Sequence, residues 1–203
     1  MKDFELFNKI RSANYTRTGK NCDWYINEEN NTIYLLFQES VGWDWFYNFL
    51  AWPIPVKPYK NMKKKWLAHY GLIRVYKSAR DTIIQAVKDK YKEGMKIVVG
   101  GFSHGGGLAQ LAAEDIYFQL NYKPEVVIFG SMRPFMGKKS LRHAMECYDM
   151  STSRSYQNGT DIVPYLPPYG KTLPFKHIGE KFNIFKIFIA GKYHQGYGEE
   201  KLY

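Results

Sequence analysis

Hydrophobic and polar positions along this chain fall into two periods, one of strands and one of helices. Asp23–Asn27 and Thr32–Gln38 are short runs rich in aromatic and branched residues, and the polar stretch Glu28-Glu-Asn-Asn31 between them predicts a hairpin. From Leu72 to Tyr91, apolar residues stand at 72, 73, 76, 79, 83, 84, 87 and 91. Spacings of three and four place them on one face of an amphipathic helix, with Lys and Arg opposite. Lys96-Ile-Val-Val-Gly100 is an apolar run of the kind buried on both faces of a parallel sheet, and a glycine cluster follows it. Helical spacing resumes over Leu108–Leu120. Glu125–Phe129 repeats the buried-strand signal, Ser140–Met150 predicts a helix and Thr152–Gln157 a further strand. This alternation predicts an α/β fold with a mostly parallel sheet flanked by helices.

The stretch from Val41 to Tyr70 follows neither period. It holds Trp43, Trp45, Phe46, Tyr47, Phe49, Trp52, Tyr59 and Trp66, three prolines and the basic run Lys63-Lys-Lys65. A connection this long inside a compact domain is usually a lid or binding loop, or contains short helices.

Composition narrows the picture. The chain has 203 residues, 45% hydrophobic and 24% charged, which suits one compact domain over 1–203 and excludes disordered and collagen-like chains. With 29 Lys+Arg against 19 Asp+Glu, the net charge is +10, an attraction for anionic partners of any kind. Nucleic acid is the less favoured partner, because the basic residues are spread along the chain without a helix-turn-helix, zinc-finger or RNP-like pattern. Cys22 and Cys147 are 125 positions apart and suggest neither a disulfide framework nor a zinc site. The charged N-terminal stretch shows no signal-peptide core, and no apolar run is long enough to cross a membrane, so a cytoplasmic location is expected.

The chemistry concentrates at Gly101-Phe-Ser-His-Gly105, a G-x-S-x-G sequence between a buried strand and a helix. That context is the one a nucleophile elbow requires, in which glycines two before and two after the serine let strand and helix approach. The competing reading, a phosphate-binding turn at a helix N-terminus, lacks both a P-loop lysine and a G-x-G-x-x-G pattern. A serine hydroxyl needs a histidine to take its proton and a carboxylate to orient that imidazole, both downstream in this chain order. The candidates are His143, His177 and His194 for the base, and Asp149 and Asp161 for the acid. Asp161 lies in Asn158-Gly-Thr-Asp-Ile-Val-Pro164, a turn straight after the last strand, where active-site loops of such sheets gather. Its plain alternative is a turn-capping residue.

Several blocks carry a resemblance when taken in order. They are Ile33–Phe37 followed by Asp44-Trp45, His69-x-Gly71, Gly101-Phe-Ser-His-Gly-Gly106, Val127-Ile-Phe-Gly-Ser131, Asn158–Pro164, Leu166-Pro-Pro168, His177-Ile-Gly179 and His194-x-x-Tyr197. Together they resemble the class 3 lipase family of α/β-hydrolases, over nearly the whole chain. The resemblance implies Ser103 as nucleophile, Asp161 as acid and His194 as base, with the oxyanion hole at the backbone N–H of His104 and at Ser40. It implies no cofactor and no metal. Where the family has Arg-Gly-Thr after its early strand, this chain has Gln38-Glu-Ser40, and Tyr193 replaces a frequent aspartate before the base. His177 matches a block beside the site and reads as a structural or pocket-lining residue.

The implied reaction is hydrolysis of a lipid or small ester through an acyl-serine, as a lipase or esterase. Phospholipase and short-chain esterase are the near alternatives, and a catalytically silent binding protein the distant one. The family carries a surface element between the early strand and the elbow that covers the site and opens at lipid interfaces, and residues 41–70 occupy that place. Trp43, Trp45, Phe46, Phe102 and His177 are the expected substrate contacts. Lys60 and Lys63–Lys65 are candidates for peripheral contact with an anionic membrane surface, and a solvated face is their bland alternative.

Overall fold

The computed structural model describes residues 1–20, 22–39, 53–56, 66–159, 161–167 and 176–178, the backbone alone for 53–56 and 176–178. Its elements run in this order: α1 (Asp3–Ser12), β1 (Thr16–Thr18), β2 (Cys22–Glu29), β3 (Thr32–Phe37), β4 (Pro53–Val56), β5 (Trp66–His69), α2 (Tyr70–Lys90), β6 (Lys96–Phe102), α3 (His104–Leu120), β7 (Glu125–Phe129), β8 (Phe135–Met136), α4 (Gly137–Cys147), β9 (Arg154–Tyr156), a 3-10 turn (Val163–Tyr165) and β10 (Lys176–Ile178).

The main sheet has the order β1-β2-β3-β6-β7-β9-β10. β1 to β3 meander antiparallel, and every later neighbour, from β3·β6 to β9·β10, is parallel. The hairpin and the mostly parallel sheet read from the sequence are both present. In a parallel sheet all strands point their carboxyl ends to one edge. The register aligns Phe102 with Phe129, Phe129 with Tyr156 and Tyr156 with Ile178 along that edge.

Strand parity divides the core. Ile33, Leu35, Phe37, Ile97, Val99, Val126 and Ile128 face α2, α3 and α4 in one apolar cluster. Tyr34, Leu36, Val98, Phe102, Val127 and Phe129 face the other way, where α1 covers them with Leu6, Phe7 and Ile10. Phe102 is therefore corrected from substrate contact to core. It is fully buried, with its ring edge-on to Phe7 at 5.5 Å and the Arg11 guanidinium 5.6 Å away. The period of two along β6 places 98, 100 and 102 on the α1 side.

Residues 41–70 are partly regular. β4 pairs antiparallel with β5, from Pro53 opposite His69 to Val56 opposite Trp66, and β8 completes a second, three-stranded sheet. Pro53 and Pro55 cannot donate to a ladder, which suits β4 to its place at the sheet edge. The remaining positions of the proposed lid lie outside the described residues. Among the described residues, no helix is long and apolar enough to cross a membrane. Both cysteines are buried and not disulfide-bonded.

Candidate active site

β6 delivers Ser103 to the carboxyl edge of the sheet, and α3 begins at the next residue. Ser103 has φ 56° and ψ −122°, a conformation that costs an L-residue free energy and survives only where the surroundings enforce it. The enforcement is visible in the hydrogen bonds. The Ser103 N–H donates to Phe129 O at 3.0 Å, and the Ser103 carbonyl accepts from Gly106 N at 3.1 Å and Met132 N at 3.3 Å. Gly130 N repeats the first contact one strand over, donating to Tyr156 O at 3.0 Å.

Two glycines are required by close backbone approach. A Cβ on Gly101 would stand 2.3 Å from Gly105 O, and one on Gly105 would stand 2.3 Å from Gln38 O. These are the positions two before and two after the serine, as the elbow reading requires. The second contact also brings the exit of β3 against the first turn of α3, so the segment leading to Ser40 leaves the sheet beside the elbow.

A buried amide that sequence reasoning passed over braces this turn. Gln110 Nε2 donates to Ser131 Oγ at 2.9 Å, Gly106 O at 3.2 Å and Met132 O at 3.3 Å, while the Ser131 hydroxyl donates to Met132 O at 2.9 Å. Gln110 thus ties the first turn of α3 to the loop after β7, the same loop whose Met132 N–H holds the Ser103 carbonyl. A polar residue among the apolar positions of 108–120 was the available signal.

The two acid candidates separate by topology. Asp149 N donates to Pro124 O, just before β7, so Asp149 lies at the amino edge, away from Ser103. Its carboxylate accepts from Ser151 and Thr152, and hydrogen bonds led by the Ser151 hydroxyl hold it below the usual carboxylate range, as in a turn cap. Asp161 lies beyond the carboxyl end of β9, on the same edge as Ser103, and is 2% exposed. Its N–H donates to Asn158 O at 2.8 Å and its Oδ1 accepts from Val163 N at 2.8 Å. The capping role exists, but in a buried carboxyl rather than a solvated one. The loop is pinned to the one after β7, since Arg133 N donates to Leu166 O at 2.9 Å and Arg133 Nε to Pro164 O at 2.7 Å.

His104 is buried in the first turn of α3. Burial first, and the neighbouring His69 second, push its pKa down to about 4, so the imidazole is neutral near pH 7. His69 caps α2, its Nδ1 accepting from Leu72 N at 3.4 Å. His143 is removed from the base candidates: its Nε2 is 2.6 Å from Glu114 Oε1, and its ring lies against Trp66 and Phe118. His177 is on β10 opposite Ser155, at the carboxyl half of the sheet. Glu39, where the resembling family has glycine, forms an ion pair with Arg11 of α1 at 3.5 Å. Ser40, Trp43, Trp45, Phe46 and His194 lie outside the described residues.

A strained serine between a central parallel strand and a helix, with a buried aspartate on the same sheet edge, defines the α/β-hydrolase class of fold. The family model of class 3 lipases matches residues 39–171, and the chain belongs to that family. The chain is 27% identical over 165 residues to a lipase of Rhizomucor miehei, covering 77% of this chain and 43% of that one. Solved structures agree in fold. A fungal lipase–inhibitor complex described as a model for interfacial activation superposes with TM-score 0.64 at 23% identity, over 84% of this chain and 66% of that one. A triacylglycerol lipase whose catalytic centre is a serine-protease triad superposes with TM-score 0.66 at 22% identity, over 81% of this chain and 64% of that one. The chain thus spans less than half the length of the curated relative and just under two thirds of these solved chains.

Proposed function

We propose that the chain hydrolyses carboxylic esters of lipid type through an acyl-serine intermediate. The observation that carries this reading is Ser103 held at positive φ on the sheet edge that also bears the buried Asp161. Ser103 Oγ attacks the ester carbonyl while His194 takes its proton. His194 then returns the proton to the leaving alkoxide, and a water activated the same way releases the acid and restores the serine. Asp161 orients the imidazole and stabilises its charged form. The N–H of His104 and the backbone or hydroxyl of Ser40 receive the oxyanion, each such donor contributing about 3 kcal/mol to the transition state. Membership of a lipase family and the likeness to a triacylglycerol lipase support a lipid ester as substrate. Within this reading the aromatic residues from Trp43 to Tyr59 form the acyl wall or lid, whereas Trp66 is core, buried against Phe135 and His143; Lys60 with Lys63–Lys65 meet anionic headgroups.

Fluorophosphonate labelling is the direct test. The native chain labels and Ser103→Ala does not, while Asp161→Asn and His194→Ala each lower turnover by about 10⁴-fold without unfolding the chain. Labelling that persists in Ser103→Ala removes the nucleophile assignment. Retained activity in His194→Ala, with loss in His177→Ala, moves the base. An ester panel from acetate to palmitate, with a phospholipid added, is expected to favour the long acyl esters. A maximum at acetate would instead make the enzyme a short-chain esterase, and a preference for the phospholipid a phospholipase.

A further inference from the structure

Away from the sheet edge, three ligand-bearing side chains that the proposed chemistry does not use converge between α3 and α4. Glu114 comes from α3, and His143 and Cys147 from α4, four residues apart and so on one face of that helix. One ligand atom from each lies within 4.8 Å of the other two. His143 Nε2 and Glu114 Oε1 are 2.6 Å apart, and the Cys147 thiol points back along its helix to the His143 carbonyl at 3.1 Å. Glu114 and Cys147 are buried, while the His143 side chain keeps 16% of its surface exposed, which leaves a way in from solvent. The imidazole is oriented before any ligand arrives, stacked on Trp66 at 5.4 Å and on Phe118 at 5.5 Å. Here a chain with a net charge of +10 buries a carboxylate beside a thiol and an imidazole.

We propose that Glu114, His143 and Cys147 bind a borderline-soft divalent cation of the zinc type, linking α3 to α4. The donor set chooses the cation. Calcium and magnesium require oxygen ligands, whereas thiolate and imidazole with one carboxylate suit Zn²⁺ or its spectroscopic substitute Co²⁺. Tetrahedral ligands at bond lengths of about 2.0–2.3 Å stand roughly 3.3–3.7 Å apart. The carboxylate therefore swings away from the imidazole by about an ångström, and the thiol turns from its helix carbonyl. Binding at Nε2 moves the imidazole proton to Nδ1, and the Cys147 proton leaves to solvent as the thiolate forms. A water completes the coordination. Glu114 stands three helical turns along α3 from Ser103, so the cation joins two helices and takes no part in ester chemistry.

Co²⁺ titration of the EDTA-treated full chain tests the site. One equivalent is expected to give a saturable thiolate-to-cobalt absorption in the near ultraviolet, displaced by Zn²⁺, with about one proton released per cation. Cys147→Ser loses the absorption, and His143→Gln and Glu114→Gln each weaken Zn²⁺ binding about 100-fold or more. Absence of the band at millimolar Co²⁺ overturns the proposal, as does a band that survives in Cys147→Ser. If Cys147→Ser does not fold, unchanged affinity in both His143→Gln and Glu114→Gln overturns it equally. The ester-hydrolase reading is tested separately, because fluorophosphonate labelling of Ser103 proceeds with or without the cation.

Discussion

Gln110 and His104 show how much the strained serine depends on side chains that do no chemistry. Gln110 spreads two amide hydrogens over three acceptors, two of them on the loop whose Met132 N–H anchors the Ser103 carbonyl. Gln110→Leu leaves those buried acceptors without the amide, and the expected destabilisation is about 1–3 kcal/mol. Because the anchor of the elbow loosens, kcat falls more than KM rises. Steady-state kinetics beside urea unfolding measure both, and unchanged kcat would reduce Gln110 to a packing residue. His104 makes stability depend on pH. Its pKa is lowered from 6.5 to about 4, so between those values the unfolded chain binds a proton that the folded chain does not. Its contribution is fully present above about pH 6.5 and is lost as pH falls toward 4, on the order of 3 kcal/mol in all. His104→Leu should flatten that part of the curve of unfolding free energy against pH, and parallel curves for the two proteins would refute the assignment.

Helix α1 illustrates an element whose signal was present and whose role was not. Leu6, Phe7 and Ile10 have helical spacing, but the charges among them break up the apolar pattern. In the fold these three residues close the second face of the sheet. Asp3 at the start of α1 receives hydrogen bonds from Arg154 and Tyr156 of β9, joining the beginning of the described chain to the strand before Asp161. Burial opposes ionisation of Asp3, but the Arg154 and Tyr156 hydrogen bonds outweigh it and hold its carboxyl below the usual range. A depressed carboxylate stabilises the fold above about pH 4 and stops doing so as pH falls through its folded value. Asp3→Asn is therefore expected to lower stability at neutral pH and to show less additional loss in acid, read from Tm between pH 7 and pH 3. Equal differences between the two proteins at every pH would mean the carboxylate charge plays no part. The strands β4 and β5 were illegible for another reason: each has four residues, too few to show a period, β4 carries two prolines, and only pairing with distant β8 completes their sheet.

For the whole molecule, the charge of +10 is the property that belongs to no single site. If it directs the chain to anionic lipid, hydrolysis of an ester in anionic vesicles exceeds that in neutral vesicles at low salt. The difference then closes as ionic strength rises and the Debye length shrinks from about 30 Å at 0.01 M to 3 Å at 1 M. Equal rates on both vesicles at all salt concentrations would leave the lysines as solvated surface. The sequence alone determined the order of β2, β3, α2, β6, α3, β7, α4 and β9 and the serine turn, because both are local: periodicity sets buried faces, and Gly101 leaves room for the Gly105 carbonyl one turn away. It also kept Asp161 ahead of Asp149 through position after a strand. The tertiary structure alone decided that Phe102 faces α1, that Gln110 braces the elbow, and that Glu114, His143 and Cys147 meet. Each of these depends on which side of the sheet a residue faces or on contacts between distant elements, and chain spacing carries neither.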